Sequence, residues 1–96
     1  MIYEWDADKA ADNERKHGVS FDEAKTVFLD PLAETFDDPD HSADERRFIT
    51  IGASAHQRLL FVSHADRGED RVRIVSARIT TRGETHAYQE RSAKRP

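Results

Sequence analysis

The segment Arg58-Leu59-Leu60-Phe61-Val62-Ser63-His64-Ala65, a turn over residues 66–70, and Arg71-Val72-Arg73-Ile74-Val75-Ser76-Ala77-Arg78-Ile79 read as a β-hairpin. The first arm is the most apolar run of the chain and belongs at the centre of a sheet. The second alternates arginine with β-branched residues, as a strand with one solvated face does. Asp66-Arg67-Gly68-Glu69-Asp70 is a polar hairpin turn. Upstream, Arg47 to Ala53 has strand character and reaches Arg58 through a turn over 54–57, so three strands in succession form an antiparallel meander. A strict period of two puts Val72, Ile74, Ser76 and Arg78 on one face, with Arg78 emerging at the edge of the core.

Leu32 to Phe36 alternates apolar and polar residues and reads as a further strand, followed by a dense acidic loop over 37–45. At the start of the chain, Ile2 to Trp5 suits a short strand. Asp6 then caps a helix from Ala7 to His17 that stops at Gly18. Its apolar face is thin, only Ala7, Ala10 and Ala11, so it lies on the surface. Ser20 and Glu23 have capping-box spacing and open a second helix, whose Phe21, Ala24, Val27 and Phe28 recur at helical intervals. Asp30-Pro31 ends it. Thr80 or Thr81 caps a last helix running to about Arg91, and residues 92–96 form a frayed tail. The order predicts a single α+β domain over 1–91. Its sheet is small and antiparallel, with three or four strands plus the short N-terminal one, and it carries two N-terminal helices and one C-terminal helix.

Composition sets limits. The chain has 96 residues, 36% of them hydrophobic and 35% charged, and no cysteine, which removes disulfide and thiolate-metal chemistry. No apolar run approaches the roughly 18 residues of a membrane span, and no leader pattern opens the chain, so a soluble cytoplasmic protein is expected. The net charge of −4 is unevenly spread. Residues 1–70 carry 8 Lys+Arg against 17 Asp+Glu, a balance of −9, whereas residues 71–96 carry 7 against 2, a balance of +5. This asymmetry suggests a basic face on an acidic body.

There is no Gly-rich phosphate loop, no nucleophile elbow and no pairing of the five histidines at metal-ligand spacing. What remains in the second half is Arg, His, Glu and Tyr. These suffice for cleaving an RNA backbone without metal or cofactor: a base takes the 2′-hydroxyl proton, an acid protonates the leaving oxygen, and cations hold the phosphoryl oxygens. Arginine suits the last role because its planar fork stays charged. Glu84 or a histidine is a candidate base, and His64 or Tyr88 a candidate donor. Each has a plainer reading. Arg78 and Glu84 make a structural ion pair, Tyr88 anchors a helix, and His17 is a cation at a helix C-terminus. His64 lies at the opposite end of the hairpin from Arg78.

Glu4-Trp5-Asp6, Lys16-His17-Gly18-Val19-Ser20-Phe21, Asp30-Pro31, Arg47-Phe48, Ile51-Gly52 and Arg73-Ile74-Val75-Ser76-Ala77-Arg78, with Arg82, Glu84 and Tyr88, resemble the BrnT family of bacterial toxins from about residue 2 to residue 90. The resemblance implies a type II toxin of RelE-like fold, an endoribonuclease that inhibits translation. It also implies a ribbon-helix-helix antitoxin of the BrnA kind, and operator DNA bound only through the toxin–antitoxin complex. Its site would draw on Arg78, Glu84, Tyr88 and His64 for catalysis, and on Arg73, Arg82, Arg47, Lys16 and His17 for RNA. The last helix departs from the family pattern: positions 83, 85 and 86 lack the usual basic residues, and Gly83 weakens the helix by about 1 kcal/mol relative to alanine. Reduced RNA affinity is therefore expected. The alternative is a non-catalytic toxin-like module that binds the antitoxin and serves operon autorepression.

Overall fold

Asp6 accepts a hydrogen bond from the Lys9 amide at 3.0 Å and opens α1 (Ala7–His17), which Gly18 ends in the left-handed conformation. Two residues later Ser20 accepts from the Glu23 amide, also at 3.0 Å, and opens α2 (Phe21–Ala24). Only half of the expected capping box forms. The Glu23 carboxylate, instead of returning to Ser20, is buried against Arg58 and the Ser54 hydroxyl. The helix is also shorter than its pattern suggests, tightening after Ala24 into a 3-10 segment, Lys25–Leu29. The β-branched pair Thr26-Val27 favours this, and the Thr26 hydroxyl donates back to the Glu23 carbonyl at 2.6 Å.

The computed structural model describes residues 1–38, 40 and 45–94. Most of the acidic loop expected over 37–45, and the last two residues of the expected tail, thus lie outside the described residues. The strands are β1 (Ile2–Glu4), β2 (Glu34–Asp37), β3 (Arg47–Ala53), β4 (Leu59–Asp66) and β5 (Arg71–Ile79), in the sheet order β1-β5-β4-β3-β2. β2 to β5 form the antiparallel meander, but β1 pairs with β5 in parallel, so the sheet is mixed rather than antiparallel. The reason is the path of the chain: α1 and α2 carry it from one edge of the sheet across a face to the other edge, leaving β1 beside β5. The last helix, α3 (Arg82–Lys94), runs three residues beyond the expected end at Arg91.

The core lies on one face of the sheet. Val19, Phe21, Ala24 and Val27 from the helical layer meet Leu60 and Val62 of β4 and Ile74 and Ala77 of β5. Trp5 adds an edge contact to Phe21, and Tyr3 stacks on Phe28. Gly52 lets the chain after the 3-10 segment pass against β3, since a Cβ there would stand 2.8 Å from the Cβ of Ala33.

Two details set the geometry of the opposite face. β5 slips register against β4: Ser63 pairs with Ser76, but His64 pairs with Ile74, leaving Val75 as an extra residue. Arg73 and Arg78 are an odd number of positions apart, so an unbroken strand would send them to opposite faces. The bulge restores the phase. It turns Ala77 into the core and brings Arg78 to the same face as Arg73, correcting the simple alternation that placed Arg78 with Ile74. The second detail is Asn13, the one buried residue of α1. Its amide donates to the carbonyls of Val19 (3.0 Å) and Ala77 (2.8 Å) and accepts from the Ala77 amide (3.0 Å). β1 covers only Arg71 to Val72 and Arg73, so Asn13 supplies the pairing that the upper edge of β5 lacks.

Candidate functional site

The sheet face away from the core carries Arg47, Ile49 and Ile51 from β3, Phe61 and Ser63 from β4, and Arg73, Ser76 and Arg78 from β5. A cleft of about 250 Å³ lies on it, floored by Ile49, Phe61, Ser63 and Ser76, with Arg47 and Asp38 at one end. A second cleft of about 250 Å³ adjoins it around Val75 and Ser76, walled by Lys9, Asp12, Lys16 and His17 of α1. The bulged pair Val75-Ser76 is shared by both clefts, so the basic end of α1 and the arginines of the sheet line one continuous surface.

Beside the first cleft, Arg78 lies over the Phe61 ring, 3.9 Å from its centroid, and grips Glu84 with both terminal nitrogens, at 2.9 and 3.0 Å. Glu84 is fixed from below by a complete capping box: it accepts from the Thr81 amide at 2.8 Å, while its own amide donates to the Thr81 hydroxyl at 3.3 Å. The hydrogen bond from Arg78 holds the Glu84 carboxyl below the usual carboxylate range; burial opposes this, and Thr81 reinforces it. The strand-to-helix junction thus presents a guanidinium and a carboxylate as a rigid, half-buried unit.

Beyond Arg47, Glu45 is the centre of a second group. Its carboxylate is bound by Arg73, by Arg67 at 3.1 Å, and lies 3.6 Å from Arg47. Burial pushes this carboxyl up, but Arg73, Arg67 and Arg47 outweigh it, and it sits below the ordinary range. Arg73 Nε is buried without a hydrogen-bond partner among the described residues.

The structure brings Arg78, Glu84, Arg73 and Arg47 together on this face, with Lys16 and His17 on its flank. Arg82 is exposed at the first position of α3. Tyr88 and His64 are not part of this arrangement. Tyr88 is buried and donates to Asp30 Oδ2 at 2.7 Å, the oxygen that also accepts from the Ala53 amide; burial and Asp30 push its phenol up to about 12. His64 points to the core face, between Phe28 and Phe48, and its Nε2 meets the Thr50 hydroxyl at 2.8 Å. Burial depresses it to about 4, with Asp66 opposing weakly. A larger cleft, about 470 Å³, lies beside His64 on that opposite face, with Phe28, Phe48 and Val72 in its wall.

Sequence reasoning missed Phe61, Arg67 and Glu45 as members of this face. For Phe61 the signal was the period of β4, since Leu60 and Val62 point to the core. Arg67 and Glu45 are distant in sequence and meet only through the pairing of Arg47 with Ala65. Among the described residues no three His, Asp or Glu side chains are grouped as a metal ion requires, and no helix is long and apolar enough to cross a membrane.

A family model described as the ribonuclease toxin BrnT of type II toxin-antitoxin systems matches residues 5–84. Among solved structures, the fold is similar to that of the Brucella abortus ribonuclease toxin BrnT. The TM-score is 0.66 and the identity 22%, covering 85% of this chain and 100% of that one. No curated protein sequence matches the chain.

Proposed function

Because the chain belongs to the BrnT family of ribonuclease toxins of type II toxin-antitoxin systems, we propose that its open sheet face is an endoribonuclease site that works without a metal ion. The observation that carries this reading is the Arg78–Glu84 unit seated over Phe61, beside a cleft of about 250 Å³. In the reaction, a 2′-hydroxyl oxygen attacks the adjacent phosphorus and its proton passes to Glu84. The bond from phosphorus to the 5′-oxygen breaks, leaving a 2′,3′-cyclic phosphate and, after protonation, a 5′-hydroxyl. Arg78 holds the charge that builds on the non-bridging oxygens.

A carboxylate gripped by arginine is a weak base, yet the pairing suits a base that substrate switches on. When a phosphate oxygen takes over part of the Arg78 fork, Glu84 loses the contact that lowers its proton affinity. His64 and Tyr88 do not serve as acids in this scheme, since one imidazole and one phenol are buried on other contacts. His17, exposed beside Ser76, is the described histidine that lines the same surface and takes the role of proton donor. Lys16, Arg73, Arg47 and Arg82 hold flanking phosphates. Phe61, half covered by Arg78, offers a surface for base or ribose stacking.

We extend the proposal to the finer biology. The RNA-cleaving domain is of RelE-like type, and its cleavage inhibits translation. A ribbon-helix-helix antitoxin of the BrnA kind neutralises it, and operator DNA is bound through that complex. The decisive assay is RNA cleavage by the purified protein in EDTA, with Glu84→Gln and Arg78→Ala. Glutamine keeps the capping box but not the base, so Glu84→Gln should lose about 10² to 10⁴ in rate while still binding RNA. Arg78→Ala should lose both rate and affinity. Wild-type rates in both variants would remove these residues from the site. A wild-type protein that binds antitoxin but cleaves no RNA would favour the non-catalytic module.

A further inference from the structure

Arg47 and Arg73 hold flanking phosphates in the reading above, but the carboxylate they share, Glu45, has no role in it, and the composition of the group is unusual for a structural ion pair. One carboxylate faces three arginines from three places in the chain: Arg47 at the start of β3, Arg67 in the β4–β5 turn and Arg73 in β5. Arg67 and Arg73 alone bring two guanidinium groups to the one Glu45 carboxylate. Arg73 is also incompletely used, because its Nε is buried with no hydrogen-bond partner among the described residues. A structural bridge would gain nothing from surplus cations, which repel one another across a short distance. An anion site gains from every one of them.

We propose that Arg47, Arg67 and Arg73 form a phosphate subsite for the RNA backbone, and that Glu45 occupies it in the free protein as an internal stand-in which an RNA phosphate displaces. The inference rests on the reading of the open face as the RNA-cleaving surface. A carboxylate and a phosphodiester each present a pair of charged oxygens to a guanidinium fork, so one can replace the other at the same donors. Arg47 belongs both to this group and to the cleft whose floor includes Phe61, the ring beneath Arg78. The subsite therefore holds a phosphate one or more nucleotides away from the one that is cut. Exchange of this kind keeps the arginines ordered and paired until substrate arrives, and it lowers RNA affinity by whatever the Glu45 contacts are worth.

The test is binding of a fully 2′-O-methylated single-stranded RNA, which cannot be cut, to the full chain by fluorescence anisotropy across a salt series. Glu45→Gln should tighten binding on the order of tenfold at low salt, as expected when one competing charge-assisted contact is removed. Asp22→Asn, the same charge change at an exposed position of α2, should have little effect. Arg67→Ala, at the more exposed arginine, should weaken binding and reduce the salt slope by about 0.7, the release from one single-strand phosphate. In the double variant Glu45→Gln/Arg73→Ala the gain from Glu45→Gln should vanish.

Glu45→Gln binding that is unchanged, weaker, or no tighter than Asp22→Asn overturns the subsite. So does a gain that survives removal of Arg73. Thermal melts separate misfolding from the effect, and Arg67→Ala provides the reading should Glu45→Gln unfold. The result is independent of the cleavage assay. Tightened binding with no cleavage would keep the subsite and sink the nuclease reading, while Glu84-dependent cleavage with unaltered binding would do the reverse.

Discussion

Asn13 is the side chain whose removal should tell most about how the candidate surface is held. Its amide satisfies both backbone groups of Ala77 and the carbonyl of Val19, at 2.8 to 3.0 Å, with 6% of the residue exposed. Asn13→Ala leaves one donor and two acceptors buried without partners. At about 1–3 kcal/mol for each such group, and allowing some recovery by water, the cost is roughly 2–5 kcal/mol. For a domain of this size that corresponds to a drop in Tm of at least about 10 °C. Asn13→Asp sharpens the test. Aspartate has the same shape and keeps the acceptor for the Ala77 amide, but its carboxylate faces two carbonyls it cannot donate to, so it should be no more stable than alanine.

The same substitutions should act on function below their melting temperatures, because Asn13 ties the helix bearing Lys16 and His17 to the bulged strand. RNA affinity should fall in both. Denaturant unfolding and the anisotropy assay measure the two effects together. A loss under about 1 kcal/mol in Asn13→Ala would mean that the upper edge of β5 does not depend on this amide, and would refute the account of α1 as a substitute strand partner.

Three further outcomes are expected. His64 has a folded pKa of about 4 against an ordinary 6.5, so the unfolded chain takes up the proton first and stability falls as pH drops from about 6.5 to about 4. Between pH 7 and 5 the loss should be roughly 2 kcal/mol, and Tm-against-pH curves for His64→Gln should lack it; a wild-type curve flat in that window would contradict the burial of a neutral ring. Gly83→Ala should stabilise the protein by up to about 1 kcal/mol, since a Cβ there meets nothing within 4 Å and alanine favours the helix; calorimetry showing destabilisation would be inconsistent with the open position. Tyr88→Phe should cost about 1–2 kcal/mol through loss of the bond to Asp30, and leave cleavage intact, whereas a large fall in rate at unchanged stability would return the phenol to the catalytic set.

The elements were legible in the chain because their signals are local. Asp6 and Gly18 bracket α1 where expected, Arg71–Ile79 is a strand end to end, and Thr81 with Glu84 makes the cap of α3. The topology was less so, because nothing in Ile2-Tyr3-Glu4 specifies a parallel partner some seventy residues away. The facing of Arg78 was misread for a physical reason: a β-bulge shifts the period of two by one residue, and no residue type in Val75-Ser76 announces it. Glu23 has a capping-box signature that its burial overrides, because Arg58 and Ser54 make a better partner in the folded state than a backbone amide. Asn13 was invisible as a core residue, since an amide on a thin helix face carries no apolar signal.

The uneven charge of the sequence, −9 over residues 1–70 and +5 over the rest, suggested a basic surface on an acidic body. In the folded protein the two halves interlock. Arg78 meets Glu84 from the same basic half, but Arg73 meets Glu45 and Arg91 meets Glu34 from the acidic half. The open face is therefore not a bare cationic field that draws any polyanion at long range. Its arginines are already oriented by carboxylates, and an RNA phosphate gains only the difference between its own contacts and those it replaces. On the proposed reading, such a surface would bind weakly and with a shallow salt dependence, while holding each guanidinium where a phosphate must fit. Gly83, Thr85 and His86 add no lysine or arginine to this stretch of α3. Specific geometry at low background affinity is what a site needs if it is to cut RNA without being sequestered by every RNA it meets.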